Sequence, residues 1–205
     1  MQLNELGLKH GTDKSTIKHN YLDAYEELLA PYHGVADLGL LEIGVRRGAS
    51  LRMWQDFFPN ARMVGIDLLK SCRQFVDDRT SIELGDQSDK DFLDSVVARH
   101  QLDIIIDDGS HIWSHQIDSF RWLFPHLRAG GIYICEDMHT SRADWVDRFG
   151  RSYSDTAATY FGRLAAEFCA EHQVYGTMAD PELTAIREQI AWVRFGGGFV
   201  AIKKV

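Results

Sequence analysis

From Asp37 onward the chain alternates short apolar runs with amphipathic stretches, the pattern of strand and helix in turn that builds a mostly parallel sheet. Apolar runs at Leu38 to Val45, Arg62 to Leu68, Ser81 to Leu84, Leu102 to Asp107 and Gly131 to Glu136 predict five strands, each ending in or near glycine or an acid. Helical spacing between them predicts helices over Ser50 to Phe58, Asp89 to His100 and Ser114 to Leu127, with Ser88 and Ser114 as candidate caps. After Asp137 the alternation stalls. Met138 to Arg151 is polar and reads as a loop over the sheet edge, and a longer helix is expected from about Thr156 to Glu171. Ile190 to Phe195 and Phe199 to Val205 are extended runs separated by Gly196, Gly197 and Gly198, which predicts a hairpin and an antiparallel finish to the sheet. Ahead of the first strand, Tyr21, Leu22, Tyr25, Leu28 and Leu29 share one helical face that Pro31 and Gly34 end. The fold class expected is α/β in a single domain over residues 1–205, with residues 1–36 as a helical cap and 37–205 as the core.

Composition narrows the partners. A chain of 205 residues has room for one well-buried core, and 45% hydrophobic with 25% charged residues excludes a disordered chain. Thirty acids against 22 bases give a net charge of -8, so the basic footprint that nucleic acid or an anionic membrane requires is missing. No apolar run approaches the roughly 18 residues of a membrane span. Cys72, Cys135 and Cys169 form no C-x-x-C pair, and no basic and apolar leader opens the chain, so a reduced, cytoplasmic protein is expected. Cys135, flanked by apolar residues, reads as a buried thiol.

Candidate chemistry clusters at the strand ends. Leu41 to Ser50 places Gly44 and Gly48 between a strand and a helix, where backbone can approach a ligand closely. Their spacing departs from the G-x-G-x-x-G that admits a pyrophosphate, and Arg46 and Arg47 would crowd that turn. The pattern from Glu42 through Gly44 to Gly48 resembles the turn that S-adenosylmethionine enzymes use, and a plain tight strand–helix turn is the alternative reading. Asp67, ending the second strand, is positioned to accept hydrogen bonds from both hydroxyls of a ribose. Asp86 and Gln87, ending the third, are candidates for the exocyclic amine of an adenine.

The fourth strand delivers Asp107, Asp108 and His111, and the fifth Glu136 and Asp137. Asp108, Glu136 and Asp137 offer an all-oxygen set suited to a hard divalent cation such as magnesium. Without a cation, three converging carboxylates would force one to keep its proton. His111 is the best general-base candidate, with Asp108 beside it in the catalytic set. His115 makes an H-x-x-x-H pair with His111, but Ile112 stands where a zinc protease carries glutamate, so His115 reads as packing or support.

With these residues assembled, the chain resembles the class I S-adenosylmethionine-dependent methyltransferases. The likeness is to the magnesium-dependent antibiotic-sugar O-methyltransferases of mycinamicin and tetracenomycin type, and to the related cephalosporin hydroxylase family. It is carried by Gly11-Thr12-Asp13-Lys14 with His19 and Tyr21, the glycine turn from Leu41 to Ser50, Ile106 to His111 with His115, and Gly130 to Asp137 with Thr140-Ser141. The resemblance implies a Rossmann-like, seven-stranded, mostly parallel sheet with an antiparallel C-terminal strand and helices on both faces. It implies S-adenosylmethionine held by Thr12, Lys14, Glu42, Gly44, Gly48, Ser50, Asp67, Asp86, Gln87 and Asp107, with Thr12 and Lys14 closing the pocket. Magnesium would lie on Asp108, Glu136 and Asp137, with His111 as base. The acceptor would be a small hydroxylated or glycosylated molecule, and a homo-oligomer is possible. The macrolide enzymes are generally longer, so an extra N-terminal domain is expected to be absent, and Arg142 stands where an aromatic is expected. A phenolic O-methyltransferase of catechol type and a catalytically silent binding protein are the alternatives. A nicotinamide dehydrogenase is weaker still, for want of the phosphate fingerprint.

Overall fold

The computed structural model describes residues 2–150, 155–169 and 181–205. Its strands are β1 (Gly39–Ile43), β2 (Arg62–Asp67), β3 (Thr80–Leu84), β4 (Leu102–Asp107), β5 (Leu127–Cys135), β6 (Ile190–Phe195) and β7 (Val200–Lys204). They form one sheet in the order β3-β2-β1-β4-β5-β7-β6. Pairings from β3 through β5 are parallel, and β7 runs antiparallel to both β5 and β6. Gly198, at φ +97, lets the chain turn back between the last two strands.

Both faces of the sheet are covered, which explains the nearly continuous apolar runs of the central strands. Side chains alternate as the strand pleat requires. Leu40, Ile104, Ile106, Ile132 and Ile134 face one core, shared with the helices α1 (Leu3–His10), α2 (Leu22–Leu29) and α3 (Ala49–Phe57). Leu41, Ile43, Ile105, Tyr133 and Cys135 face the other, shared with α4 (Lys90–Val97), α5 (Trp113–Leu123), α6 (Ala157–Cys169) and α7 (Pro181–Arg187).

Local expectations need several corrections. Asp89 rather than Ser88 caps α4, its carboxylate accepting from Phe92 N at 3.1 Å. Ser114 lies inside α5, whose N-cap Ile112 offers no side-chain acceptor. That helix stops at Leu123 because Pro125 imposes a short 3₁₀ turn, and β5 starts four residues earlier than expected. The expected loop after Asp137 contains 3₁₀ turns at Met138–Thr140 and Ala143–Trp145 and a π-helical turn at Val146–Gly150. Helices α1 and α7 were not expected. Arg151, Ala170 and Glu171, ends of two expected elements, lie outside the described residues.

Candidate active site

Strand order reverses between β1 and β4, and ligands of open α/β sheets bind outside the carboxyl ends at such a reversal. A cleft of about 920 Å³ opens there. Gly44, at φ +93, joins its two walls: a Cβ on it would stand 2.1 Å from the Asp108 carbonyl oxygen. Only glycine permits that approach. Gly48, at φ +68, starts α3 and is pressed by the Phe75 ring, 2.7 Å from where a Cβ would stand.

Several expected cofactor residues reach the cleft. Thr12, Gly44, Ser50, Asp67, Asp86 and Gln87 all line it. Asp67 is fixed by two backbone donors, Arg46 N at 2.7 Å and Leu69 N at 2.8 Å. Gln87 ties strand ends together, accepting from Ser110 N at 2.7 Å and donating to Asp107 at 3.2 Å and Ser119 Oγ at 3.1 Å.

Lys14, Glu42, Gly48 and Asp107 are not among the residues that line the cleft. Asp107 is fully buried, because the pleat aims it into the core while its neighbour Asp108 opens outward. Tyr133 Oη donates to it at 3.0 Å. Burial still pushes the Asp107 carboxyl up to about 7, although Tyr133, Gly109 N and Gln87 donate to it.

Glu42 is likewise buried, accepting from Ser50 Oγ at 2.8 Å and Trp54 Nε1 at 3.4 Å. Burial pushes it up to about 7, opposed by Lys14. The Lys14 side chain is completely buried, and its ammonium donates to Asp108 and, at 2.9 Å, to Glu136 Oε2, with Glu42 Oε1 3.7 Å away. Burial opposes the charge on Lys14, but Asp108, Glu136 and Glu42 together hold its pKa well above the ordinary lysine value. One buried cation thus offsets the buried Glu42 and Glu136, either of which alone would be costly, and reaches Asp108 on the cleft wall.

Of the expected metal set, Asp108 and Asp137 line the cleft. Glu136 has one oxygen on Lys14 and accepts from Tyr25 Oη at 3.1 Å on the other, and it does not reach the cleft. The ligand atoms that converge on the cleft belong to Asp108, His111 and Asp137, all within 4.8 Å of one another. His111 Nε2 lies 3.3 Å from Asp137 Oδ2. Its Nδ1 is buried without a hydrogen-bond partner among the described residues, near the Phe149 ring at 6.3 Å between centroids. His115 also lines the cleft and pairs through Nδ1 with Ser110 Oγ at 2.9 Å.

Backbone strain concentrates here. Arg46, His111 and Asp137 all line the cleft and all hold positive φ, at +52, +58 and +57. Each such non-glycine conformation costs about 1–3 kcal/mol, and the hydrogen-bonded strand ends around them sustain it.

Sequence reasoning gave no site role to Tyr21, whose Oη donates to Asp137 Oδ1 at 3.1 Å, or to Tyr25 behind it. Their spacing of four on one helical face was the available signal. Arg148 lines the cleft from the π-helical turn, its guanidinium stacked over Trp145 and Phe149. Nothing in the periodicity pointed to it.

Comparison with known proteins agrees with this architecture. No protein-family model matches the chain. Mycinamicin VI 2''-O-methyltransferase of Micromonospora griseorubida is 40% identical over 148 residues, 68% of this chain and 36% of that protein. A tetracenomycin-C enzyme of Streptomyces olivaceus, the 8-demethyl-8-alpha-L-rhamnosyl tetracenomycin-C 2'-O-methyltransferase, is 39% identical over 167 residues, 78% of this chain and 43% of that protein. The solved structure of MycE methyltransferase, in complex with Mg, SAH and mycinamycin VI, superposes over the whole chain and 54% of its own, with a TM-score of 0.85 at 29% identity. The chain thus spans about half the length of the relatives it matches. By strand order and cleft position, together with these similarities, the chain belongs to the class I methyltransferases. Within that class, the named relatives are sugar O-methyltransferases of antibiotic pathways. Among the described residues, no helix is long and apolar enough to cross a membrane.

Proposed function

We propose that this protein transfers a methyl group from S-adenosylmethionine to a hydroxyl of a glycosylated natural product, on the sugar, with magnesium as its metal. The observation that carries this reading is the group of Asp108, His111 and Asp137 on the cleft wall at the β1–β4 reversal. Two carboxylates and little else that is hard suit magnesium, which takes oxygen ligands and completes its six with water or substrate oxygens. When bound, magnesium supplies Lewis acidity toward an alcohol, and S-adenosylmethionine supplies an already activated methyl.

The chain's own residues do the rest. Asp67, fixed by Arg46 N and Leu69 N, accepts the ribose hydroxyls, and Asp86 with Gln87 borders the adenine. Asp108 and Asp137 hold the metal, with Lys14, itself bound to Glu136, supporting Asp108 from behind. His111 takes the proton of the acceptor hydroxyl on Nε2, the nitrogen that faces Asp137. Imidazole is a poor ligand for magnesium, which favours the base role for His111 over ligation. Alignment of oxygen and methyl accounts for most of the remaining rate.

Similarity to enzymes named for mycinamicin and rhamnosyl tetracenomycin supports a sugar as acceptor. Methyl transfer from labelled S-adenosylmethionine to a panel of macrolide and anthracycline-type glycosides, aglycones and catechols tests it. Transfer to a glycoside that EDTA abolishes and magnesium restores is expected. Full activity in a verified metal-free sample, or transfer to catechols alone, overturns the reading.

A further inference from the structure

Asp137 has two oxygens, and the proposed function uses one face of it. Oδ2 is turned to His111. Oδ1 is turned the other way, 3.7 Å from His139 Nδ1 and within the Tyr21 hydrogen bond. His19, His139 and Asp137 form a second group whose ligand atoms all lie within 4.8 Å of one another.

We propose that His19, Asp137 and His139 form a second cation site, selective for a borderline divalent ion such as zinc, that shares Asp137 with the magnesium site. Two imidazoles and a carboxylate are the donors that zinc, cobalt and nickel favour and magnesium does not. The spacing agrees. At zinc–ligand bonds near 2.1 Å, two donors at a tetrahedral angle stand roughly 3.4 Å apart, and two ring centroids roughly 5 Å apart. His139 Nδ1 to Asp137 Oδ1 is 3.7 Å, and the His19 and His139 ring centroids are 5.7 Å apart. The His139–Asp137 pair closes with a shift of about 0.3 Å, His19 approaches from within 4.8 Å, and water is the fourth ligand.

The surroundings hold the ligands in place. Tyr21 stacks on His19, with centroids 5.0 Å apart and planes inclined by 21°, so the imidazole cannot turn freely. The same tyrosine donates to Asp137 Oδ1, the outer support that a ligating carboxylate commonly has. His139 is the exposed member, giving an ion entry from solvent. An ion here draws charge from a carboxylate that also faces the Asp108 and His111 group, so zinc occupancy weakens the neighbouring site.

The test is binding, not turnover. Zinc is titrated calorimetrically into the full chain held in excess magnesium, and cobalt is followed by its visible absorption. One equivalent of zinc is expected, weakened at least tenfold by His19→Ala and by His139→Ala and unchanged by His111→Ala. Circular dichroism confirms that the variants are folded. Absence of zinc binding to the wild-type protein overturns the proposal. So does zinc binding that survives His139→Ala and disappears in His111→Ala. Manganese binding, measured separately on the same variants, reports on the magnesium site, so failure of one site is distinguishable from failure of the other.

Discussion

Lys14 Nζ reaches Glu136 Oε2 at 2.9 Å across 122 positions of sequence, joining a turn ahead of α2 to the end of β5. The same ammonium donates to Asp108, so it fixes a cleft-facing acid from behind. Replacement by methionine keeps the length and leaves Glu42, Asp108 and Glu136 without their cation. Breaking a buried ion pair on one side costs about 3–5 kcal/mol, so Lys14→Met should lower the denaturant midpoint accordingly. An unchanged midpoint would show that the three acids do not depend on it.

Asp107 makes stability depend on pH. Its carboxyl titrates at about 7 when folded, pushed up by burial, and near 3.9 when unfolded. Between those values the folded state holds the extra proton, so rising pH removes stability, and the loss is complete above about 7. Asp107→Asn abolishes this contribution. The melting temperature of the variant relative to wild type should be higher at pH 8 than at pH 5. A difference independent of pH would place the Asp107 titration elsewhere.

His111→Ala should cut methyl transfer by roughly 10²–10⁴-fold, the usual contribution of a positioned base. Calorimetric affinity for S-adenosylmethionine should be nearly unaffected, since the residues proposed for ribose and adenine, Asp67, Asp86 and Gln87, lie at the ends of β2 and β3. Turnover equal to wild type would remove His111 from the chemistry.

At the other end of the cleft, Asp67→Asn keeps an oxygen for Leu69 N or Arg46 N but loses the charge offered to a ribose. Hydrogen bonds to a charged acceptor are worth about 1.5–3 kcal/mol, so cofactor binding should weaken roughly 10–100-fold. A dissociation constant within twofold of wild type would move the ribose away from this strand end.

The sheet was legible because its central strands are buried on both faces and each ends in glycine or an acid, as Gly44, Asp67 and Asp107 illustrate. Which acids open to the cleft was only half legible. Strand alternation separates Asp107 from Asp108, but nothing in the spacing says which of the two is buried. The pairing of Glu136 with Lys14 was not legible, because no local pattern announces a partner 122 residues away. The burial of Lys14 was hidden for the same reason, since its contacts depend on how the turn before α2 folds back on the sheet. Helix ends were read least well where a capping residue competed with a neighbour, as Asp89 did with Ser88.

Manganese, a magnetic substitute for magnesium, reads the cation site directly through its electron paramagnetic resonance when titrated into wild type, Asp108→Asn, Asp137→Asn and Glu136→Gln. One bound ion is expected in wild type and in Glu136→Gln, and none in either aspartate variant at the same concentrations. Binding that persists in Asp137→Asn, or wild-type protein that takes up no manganese, would contradict a cation held between Asp108 and Asp137.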